Sequence, residues 1–346
     1  MPPRILTFDE ALLDARRKSN HRSILLGNGF SIGYDPAIFS YESLADEAEL
    51  SGLSVTKPAL FDALKSSNFE AVIDKLNASS RLLALYDGDR ELAARMATDA
   101  VVVRNGLADV LANRHPVNAQ GLSDEEVLHA RTFLSNFRQF YTLSYDLLLY
   151  WVVTRTGVGP FVHMRDGFEW PAWNDRSALI WKSKPTQGRQ RVFFLHGALH
   201  LFIRGKKLEK LSYRDHGSLV GELRSRLDDD NYPLVVTEGS RPEKEARIER
   251  SGYLRFGLRR FAATEGALFI HGVSMNPNDD HILELIESDS SRVSAIYVAV
   301  HGDPASPDNR RLIERAKEMR SHRRTVGGEA LRVRFYDSDS ARVWRD

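Results

Sequence analysis

The stretch ILLGNGFS at residues 24–31 decides the fold, because a short apolar run leads directly into a glycine-rich loop. Three later segments have the same form, an apolar run that ends in glycine, histidine or a small polar residue: FYTLSYD at 140–146, FFLHG at 193–197 and LFIHGVS at 268–274. Open parallel α/β sheets bind ligands just beyond the carboxyl ends of their strands. The four segments therefore predict a largely parallel sheet with one shared pocket.

The composition excludes several classes of protein. The 346 residues are 42% hydrophobic and 27% charged, which is typical of a soluble globular chain. The absence of cysteine excludes disulfides, thiolate zinc sites and cysteine catalysis. The net charge of +1 indicates no overall attraction to nucleic acid or membrane. No apolar run approaches the ~20 residues of a membrane span, and no secretory signal is evident, so we expect a cytoplasmic protein.

The chain is interpreted as one α/β domain over residues 1–346, with a Rossmann-like, largely parallel sheet flanked by helices. Residues 40–135 have apolar side chains at helical spacing, which predicts a helical insertion after the first βα unit. Residues 157–190 predict an irregular excursion, with the aromatic residues Phe161, Phe168, Trp170, Trp173 and Trp181. Strands are predicted at 23–27, 138–143, 191–195, 200–204, 233–237, 267–271, 295–300 and 331–336.

An arginine-rich segment runs from Asn309 to Arg324. Its apolar residues fall on one helical face and are Leu312, Ile313, Ala316 and Met319. We interpret it as a solvated helix that covers the sheet. A nucleic-acid patch, and with it a nuclease-associated module, stays open as an alternative.

The glycine loop has the spacing G-x-G-x-x-x-G, formed by Gly27, Gly29 and Gly33. This differs from the Rossmann G-x-G-x-x-G, and no Gly-Lys-Ser/Thr follows as in a P-loop. Glycine permits close backbone approach and can direct amide N–H groups at a phosphate. A tight structural turn explains the same residues, and both interpretations stay open.

His196 lies between an apolar run and Gly197. A neutral imidazole near physiological pH is a suitable general base, and a structural histidine is the alternative. Asp146 directly precedes an apolar helix, so we also expect it to cap that helix. Ser144, His196 and an aspartate do not indicate a hydrolase triad, because no G-x-S-x-G elbow surrounds Ser144.

Metal chemistry has weak support in the sequence. The candidate ligands are the pair His196/His200 and the segment 279–281 (Asp-Asp-His), but their spacing matches no metal motif. We expect no metal. Asp279 and Asp280 are expected to cap the helix that contains residues 282–285.

Taken together, the four segments resemble the sirtuin-like superfamily. GNGFS at 27–31 is similar to its G-A-G-x-S nucleotide loop, and TLSYD at 142–146 to its T-x-N-Y-D segment. LHG at 195–197 is similar to the histidine–glycine of the catalytic base. GVS at 272–274, followed by Asp279, is similar to the G-x-S segment and its downstream aspartate.

A narrower resemblance concerns residues 145–151, 195–202 and 233–239, which are similar to a poorly characterised bacterial subfamily. Members of the wider bacterial group often act in antiphage defence by hydrolysing NAD, some of them with a HerA-type hexameric ATPase. The resemblance thus implies an NAD-glycohydrolase that cleaves the nicotinamide–ribose bond. It also implies a homo-oligomer, with NAD as the substrate and neither nucleic acid nor membrane as a direct partner.

The resemblance also assigns roles to residues. It implies that the glycine loop cradles the pyrophosphate, that Ser144 and Asp146 orient the ribose, and that His196 activates a ribose hydroxyl or water. The implied catalytic residues are His196, Ser144 and Asp146. The implied NAD-binding residues are Gly27, Asn28, Gly29, Phe30, Ser31, Thr142, Gly272, Ser274 and Asp279.

Two departures from the family bear on activity. Deacetylase sirtuins carry a four-cysteine zinc module, and a chain without cysteine argues against protein deacetylation. Ser144 stands where the family has an asparagine, and serine offers one hydroxyl in place of an amide with donor and acceptor ends. The alternative function is therefore a catalytically weak or inactive subunit that binds NAD or ADP-ribose and regulates a defence complex.

Overall fold

A computed structural model describes residues 3–86, 88–116, 118–160, 162, 165–171, 178–185, 188–212, 218–229, 231–237 and 241–345. Phe161 and Trp173 of the predicted irregular segment lie outside the described residues. So do Glu238 and Gly239, which end one of the family-like segments.

The described residues form eleven β-strands and fourteen α-helices. The strands are β1 (Ile5–Leu6), β2 (Arg22–Leu26), β3 (Gln139–Thr142), β4 (Phe168–Glu169), β5 (Leu179–Trp181), β6 (Val192–Phe194), β7 (Leu201–Arg204), β8 (Lys207–Lys210), β9 (Glu265–His271), β10 (Arg292–Val300) and β11 (Arg332–Asp337). The helices are α1 (Phe8–Lys18), α2 (Gly29–Ile32), α3 (Pro36–Phe39), α4 (Tyr41–Glu47), α5 (Lys57–Leu64), α6 (Phe69–Leu85), α7 (Arg90–Arg114), α8 (Asp124–Leu134), α9 (Leu148–Thr154), α10 (Leu219–Asp228), α11 (Arg241–Arg250), α12 (Gly252–Ala262), α13 (Asp280–Glu287) and α14 (Pro307–Thr325).

Seven strands form a parallel sheet in the order β1-β11-β10-β9-β2-β3-β6. If β1 is set aside, the remaining six strands follow the Rossmann order 3-2-1-4-5-6. The predicted α/β class and the predicted parallel sheet are confirmed. The strand order reverses between β2 and β9, because the chain builds outward through β3 and β6 and then returns to the other side of β2.

The two faces of the sheet belong to different apolar cores. Ile24 of β2 packs into a core that includes Phe69 of α6 and Val103 of α7. Its neighbour Leu25 packs into a second core with Ile282 of α13 and other residues of α13 and α14. Successive residues of a strand face opposite sides, so the continuous apolar run of β2 is buried on both faces.

The segment between β2 and β3 is helical in every described element from residue 41 to residue 134, apart from a short 3-10 turn at Ala119–Gly121. It contains α4 to α8, and its long helices α6 and α7 pack against each other. The arginine-rich segment forms α14, whose four predicted apolar residues are buried against the sheet as expected. No helix in the described part of the chain is long and apolar enough to cross a membrane.

One predicted strand lies in a second sheet, and another does not form. Residues 201–204 form β7, but β7 belongs to a second, antiparallel sheet with the order β4-β5-β8-β7. Residues 233–237 form no strand, and Val235 makes only an isolated bridge to Gly197. No strand forms because the segment hydrogen-bonds to a loop and not to a neighbouring strand: the Val236 N–H donates to the carbonyl of His196 (2.8 Å).

Candidate functional site

A cavity of about 840 Å³ opens at the carboxyl edge of the parallel sheet. It lies at the switch point between β2 and β9, where open α/β sheets bind their ligands. The loops after β2, β3, β6 and β9 all contribute to it, as the four sequence segments predicted. Its lining from these loops includes Gly27, Asn28, Gly29, Phe30, Ser144, His196, Gly272, Ser274 and Asp279.

The glycines hold the loops after β2 and β9 together. The Gly27 N–H donates to the carbonyl of His271, and the Gly29 N–H donates to the carbonyl of Gly272, each over 2.9 Å. A Cβ on Gly27 would lie 2.3 Å from the Gly272 oxygen, and one on Gly29 would lie 2.5 Å from the Gly272 Cα. Glycine is needed here because two backbones touch. The Gly29 amide is thereby used within the protein, so its expected contribution to a phosphate cradle is not supported.

The other residues of the glycine loop are held by contacts with neighbouring parts of the protein. The Asn28 side-chain amide donates to the carbonyl of Phe39 (3.1 Å). The ring of Phe30 packs on Trp344 with centroids 4.8 Å apart, and the Trp344 indole N–H donates to the Phe30 carbonyl (2.6 Å). Ser31 is fully buried.

Asp146 is a buried carboxylate that organises the β3 loop. One oxygen, Oδ2, accepts hydrogen bonds from the hydroxyls of Ser31 and Ser144, the latter over 2.5 Å. The other, Oδ1, accepts from the Leu148 N–H (2.8 Å), the first of α9, although Leu147 and not Asp146 occupies the N-cap position. The Ser144 N–H donates to Thr142 Oγ1 (3.0 Å). Ser144 lines the cavity, and Asp146 lies behind Ser144. The hydrogen bond to Asp146 therefore fixes the orientation of the serine hydroxyl.

His196 lines the cavity and faces a second histidine. Its Nε2 lies 3.0 Å from Nε2 of His281, and the two rings are stacked with centroids 5.2 Å apart. Burial lowers the pKa of His196 well below its ordinary value, and the positive charge of Lys244 lowers it further. Burial and the neighbouring His196 lower the pKa of His281 to about 3. Both rings are therefore neutral at pH 7, and in the Nε2–Nε2 contact one ring donates a hydrogen bond and the other accepts it.

A buried charged trio adjoins these histidines. The ammonium of Lys244, whose side chain is 0% exposed, donates to Glu70 (2.8 Å) and to Asp279 (3.3 Å). Burial disfavours the charge, but both carboxylates outweigh it and raise the pKa of Lys244. Glu70 and Asp279 line the cavity. The expected capping of α13 by Asp279 is wrong, since its side chain makes no capping bond and binds Lys244 instead.

Sequence reasoning missed Lys244 and Glu70. Lys244 lies in α11, whose many charged residues are typical of a solvated helix. One signal was available: Lys244 and Ile248 are four residues apart and share the buried face of α11. Glu70 carries no such signal, because it lies in the helical insertion and reaches the site only through the tertiary fold.

The rim of the cavity is formed beyond β10 and β11. His301 Nδ1 lies 3.0 Å from Asp339 Oδ1, and Ser338 contacts both residues. His271, at the end of β9, pairs with the hydroxyl of Tyr336 (3.0 Å). Ser274 is exposed on the β9 loop. Polar groups therefore surround the opening as well as the floor.

Of the suggested metal ligands, His196 and His281 meet through their ring nitrogens (3.0 Å), whereas His200 and Asp280 lie elsewhere. His200 stacks on Tyr150 with centroids 4.5 Å apart and is absent from the cavity lining. Asp280 pairs with Arg315 (2.9 Å). Within the described ranges, no group of three or more histidine, aspartate or glutamate residues is arranged to hold a metal ion.

A family model covers nearly the whole of this architecture. The model is described as a domain of unknown function, DUF4917, and it matches residues 24–344. The chain belongs to this family. The match contains residues 24–26 of β2, the other five strands of the Rossmann order and every cavity residue named above. No curated protein matches the chain.

Proposed function

We propose that the chain hydrolyses NAD at the nicotinamide–ribose bond, with water as the final acceptor. The observation that carries the proposal is the convergence of His196, Ser144 and the glycine loop on one cavity at the switch point of a Rossmann sheet. A volume of about 840 Å³ lies in the range of roughly 300–1,000 Å³ that is usual for small-molecule and cofactor sites. The choice of NAD as the substrate rests on the resemblance of these segments to sirtuin-like proteins.

The charges of the floor fit the proposed chemistry. Loss of nicotinamide leaves developing positive charge on the ribose, which nearby negative charge stabilises. Glu70 and Asp279 both contact Lys244 and both line the cavity, so carboxylate oxygens lie at its floor. The neutral ring of His196 would accept a proton from water or a ribose hydroxyl. Ser144, aimed by Asp146, would hold the ribose.

The biological setting is part of the same proposal. The sirtuin-like resemblance supports a role in bacterial antiphage defence, in the cytoplasm, as a homo-oligomer and with a HerA-type hexameric ATPase as partner. NAD hydrolysis by such an assembly would deplete the cell of a common cofactor, which accounts for control by a partner.

A second candidate is a subunit that binds NAD or ADP-ribose without turnover. Two contacts favour it. The Ser144 hydroxyl donates a hydrogen bond to Asp146, and His196 Nε2 contacts Nε2 of His281. Both groups therefore already have hydrogen-bond partners within the protein. Such a subunit would report the nucleotide to a partner.

Nicotinamide release from NAD separates the two functions. The purified full-length chain is incubated with NAD, alone and with a HerA-type hexameric ATPase. Hydrolysis predicts release that falls by ~10²–10⁴-fold in His196→Ala, the usual contribution of a positioned acid–base group. His322→Ala, on the exposed face of α14, is the matched control and should keep full activity. If NAD binds in calorimetry without nicotinamide release, the regulatory subunit is supported. If NAD neither binds nor is hydrolysed, both functions are overturned.

A further inference from the structure

A second cavity, of about 280 Å³, lies at the opposite edge of the parallel sheet, where the strands begin. We refer to it as the arginine cavity. Five arginines line it together with one histidine and one carboxylate: Arg22, Arg138, Arg189, Arg260, Arg292, His21 and Glu265. In a chain whose net charge is only +1, this is a strong local excess of positive charge.

The arginines are brought together by the sheet. Arg22 is the first residue of β2, Arg138 directly precedes β3, and the Arg138 N–H donates to the Arg22 carbonyl (2.9 Å). Arg292 begins β10 and pairs in register with Glu265, which begins β9. The neighbouring strands β2 and β3 thus start with cations at one level, and like charges on adjacent strands repel each other.

Protein carboxylates neutralise little of this charge. Glu265 is shared between Arg292 (3.5 Å) and His21 (3.6 Å). Among the described residues, Arg138, Arg189 and Arg260 have no carboxylate within ion-pair distance. Burial lowers the pKa of Arg22, and the positive charges of Arg16 and Arg138 lower it further.

Helix ends explain only part of the cluster. Arg260 lies in the last turn of α12, where a cation is favoured by the helix dipole. Arg189 and Arg292 lie in no helix, yet they face the same cavity. Guanidinium groups donate paired hydrogen bonds that match phosphate oxygens in geometry and charge. A volume of about 280 Å³ is just below the range that is usual for drug-sized ligands, so the ligand is compact.

We propose that the arginine cavity binds a compact oligophosphate, either as a free ion or as the oligophosphate group of a small molecule. It lies at the edge of the sheet opposite to the cavity that contains His196. The proposal is therefore independent of NAD hydrolysis.

Calorimetric titration of the full-length protein with sodium tripolyphosphate in low salt tests the site. The wild type should bind, and the double variant Arg138→Gln/Arg260→Gln should bind at least about tenfold more weakly. The control variant Arg320→Gln/Arg324→Gln removes the same charge from the exposed face of α14 and should bind as the wild type does. ATP as a second titrant distinguishes a free ion from a nucleotide-borne group.

Three results would overturn the proposal. The first is a wild type that shows no binding heat. The second is an equal loss of affinity in the control variant, which would reveal only a general charge effect. The third is tighter, strongly salt-dependent binding of a short single-stranded oligonucleotide than of tripolyphosphate, which would indicate an extended nucleic-acid surface. Thermal unfolding of both double variants shows that they are folded before the affinities are compared.

Discussion

Lys244 of α11 donates a hydrogen bond of 2.8 Å to Glu70 of the helical insertion, across 174 residues of sequence. It also reaches Asp279 at the carboxyl edge of the sheet (3.3 Å). One buried cation thereby joins the insertion, α11 and the β9 loop at the floor of the cavity. Lys244 therefore adds a buried polar link to the apolar packing that holds the insertion over the site.

Removal of the buried cation should destabilise the fold. Lys244→Met removes the buried cation that contacts Glu70 and Asp279, and losing one partner of a buried pair typically costs ~3–5 kcal/mol. Urea denaturation at pH 7 measures the change in free energy of unfolding. Lys18→Met, in an exposed position of α1, is the control. Adding Glu70→Gln to Lys244→Met should recover part of the loss, and no recovery would contradict the electrostatic explanation.

The Ser144→Asn variant tests whether serine weakens hydrolysis. Asparagine has a longer reach and a second hydrogen-bonding end, and its amide can still donate to Asp146. We expect unchanged NAD affinity and faster nicotinamide release, because the ribose and a water are held together. Ser144→Ala removes the donor and should be slower than the wild type. A folded, NAD-binding asparagine variant that is no faster than serine, with or without the ATPase partner, would contradict the idea.

Stability should fall as the pH is lowered. Burial lowers the pKa of His271 to about 4 and that of His281 to about 3, against about 6.5 in the unfolded chain. Between pH 6.5 and 4 the unfolded state binds more protons, so the free energy of unfolding decreases with decreasing pH. His281→Gln should flatten this dependence by at most ~1.4 kcal/mol per pH unit. Urea titrations at pH 7, 6 and 5 measure it, and His322→Gln should keep the slope of the wild type.

Gly29→Ala should affect folding before it affects binding. The added Cβ would lie 2.5 Å from the Gly272 backbone, which cannot give way as a flexible side chain would. We expect a loss of ~1–3 kcal/mol or more, as for other overpacked sites. Gly252→Ala, at the start of α12, meets only Trp181 at 3.9 Å and should be neutral or stabilising. A fully stable Gly29→Ala protein that has lost NAD affinity would return Gly29 to a direct role at the phosphates.

Much of the fold is predictable because its signals are local. The runs at 24–26, 193–195 and 268–270 are apolar and lead into glycine or histidine, so a few adjacent residues indicate both the strand and the loop at its end. Parallel strands place those loops at one edge, which is why His196, Ser144 and Gly272 were expected to share a pocket. The helical character of the insertion follows equally from the spacing of its apolar residues.

Other features depend on partners that are distant in sequence. Residues 233–237 are as apolar as a strand, yet their backbone bonds to the His196 loop, because hydrogen bonding to that loop takes the place of a sheet partner. Lys244 looks like one charge among many until the insertion brings Glu70 against it. A local pattern can show how a segment folds and which face it buries. Which groups neutralise a buried charge is set by the folded chain as a whole, since a charge leaves water only where opposite charges from other segments meet it.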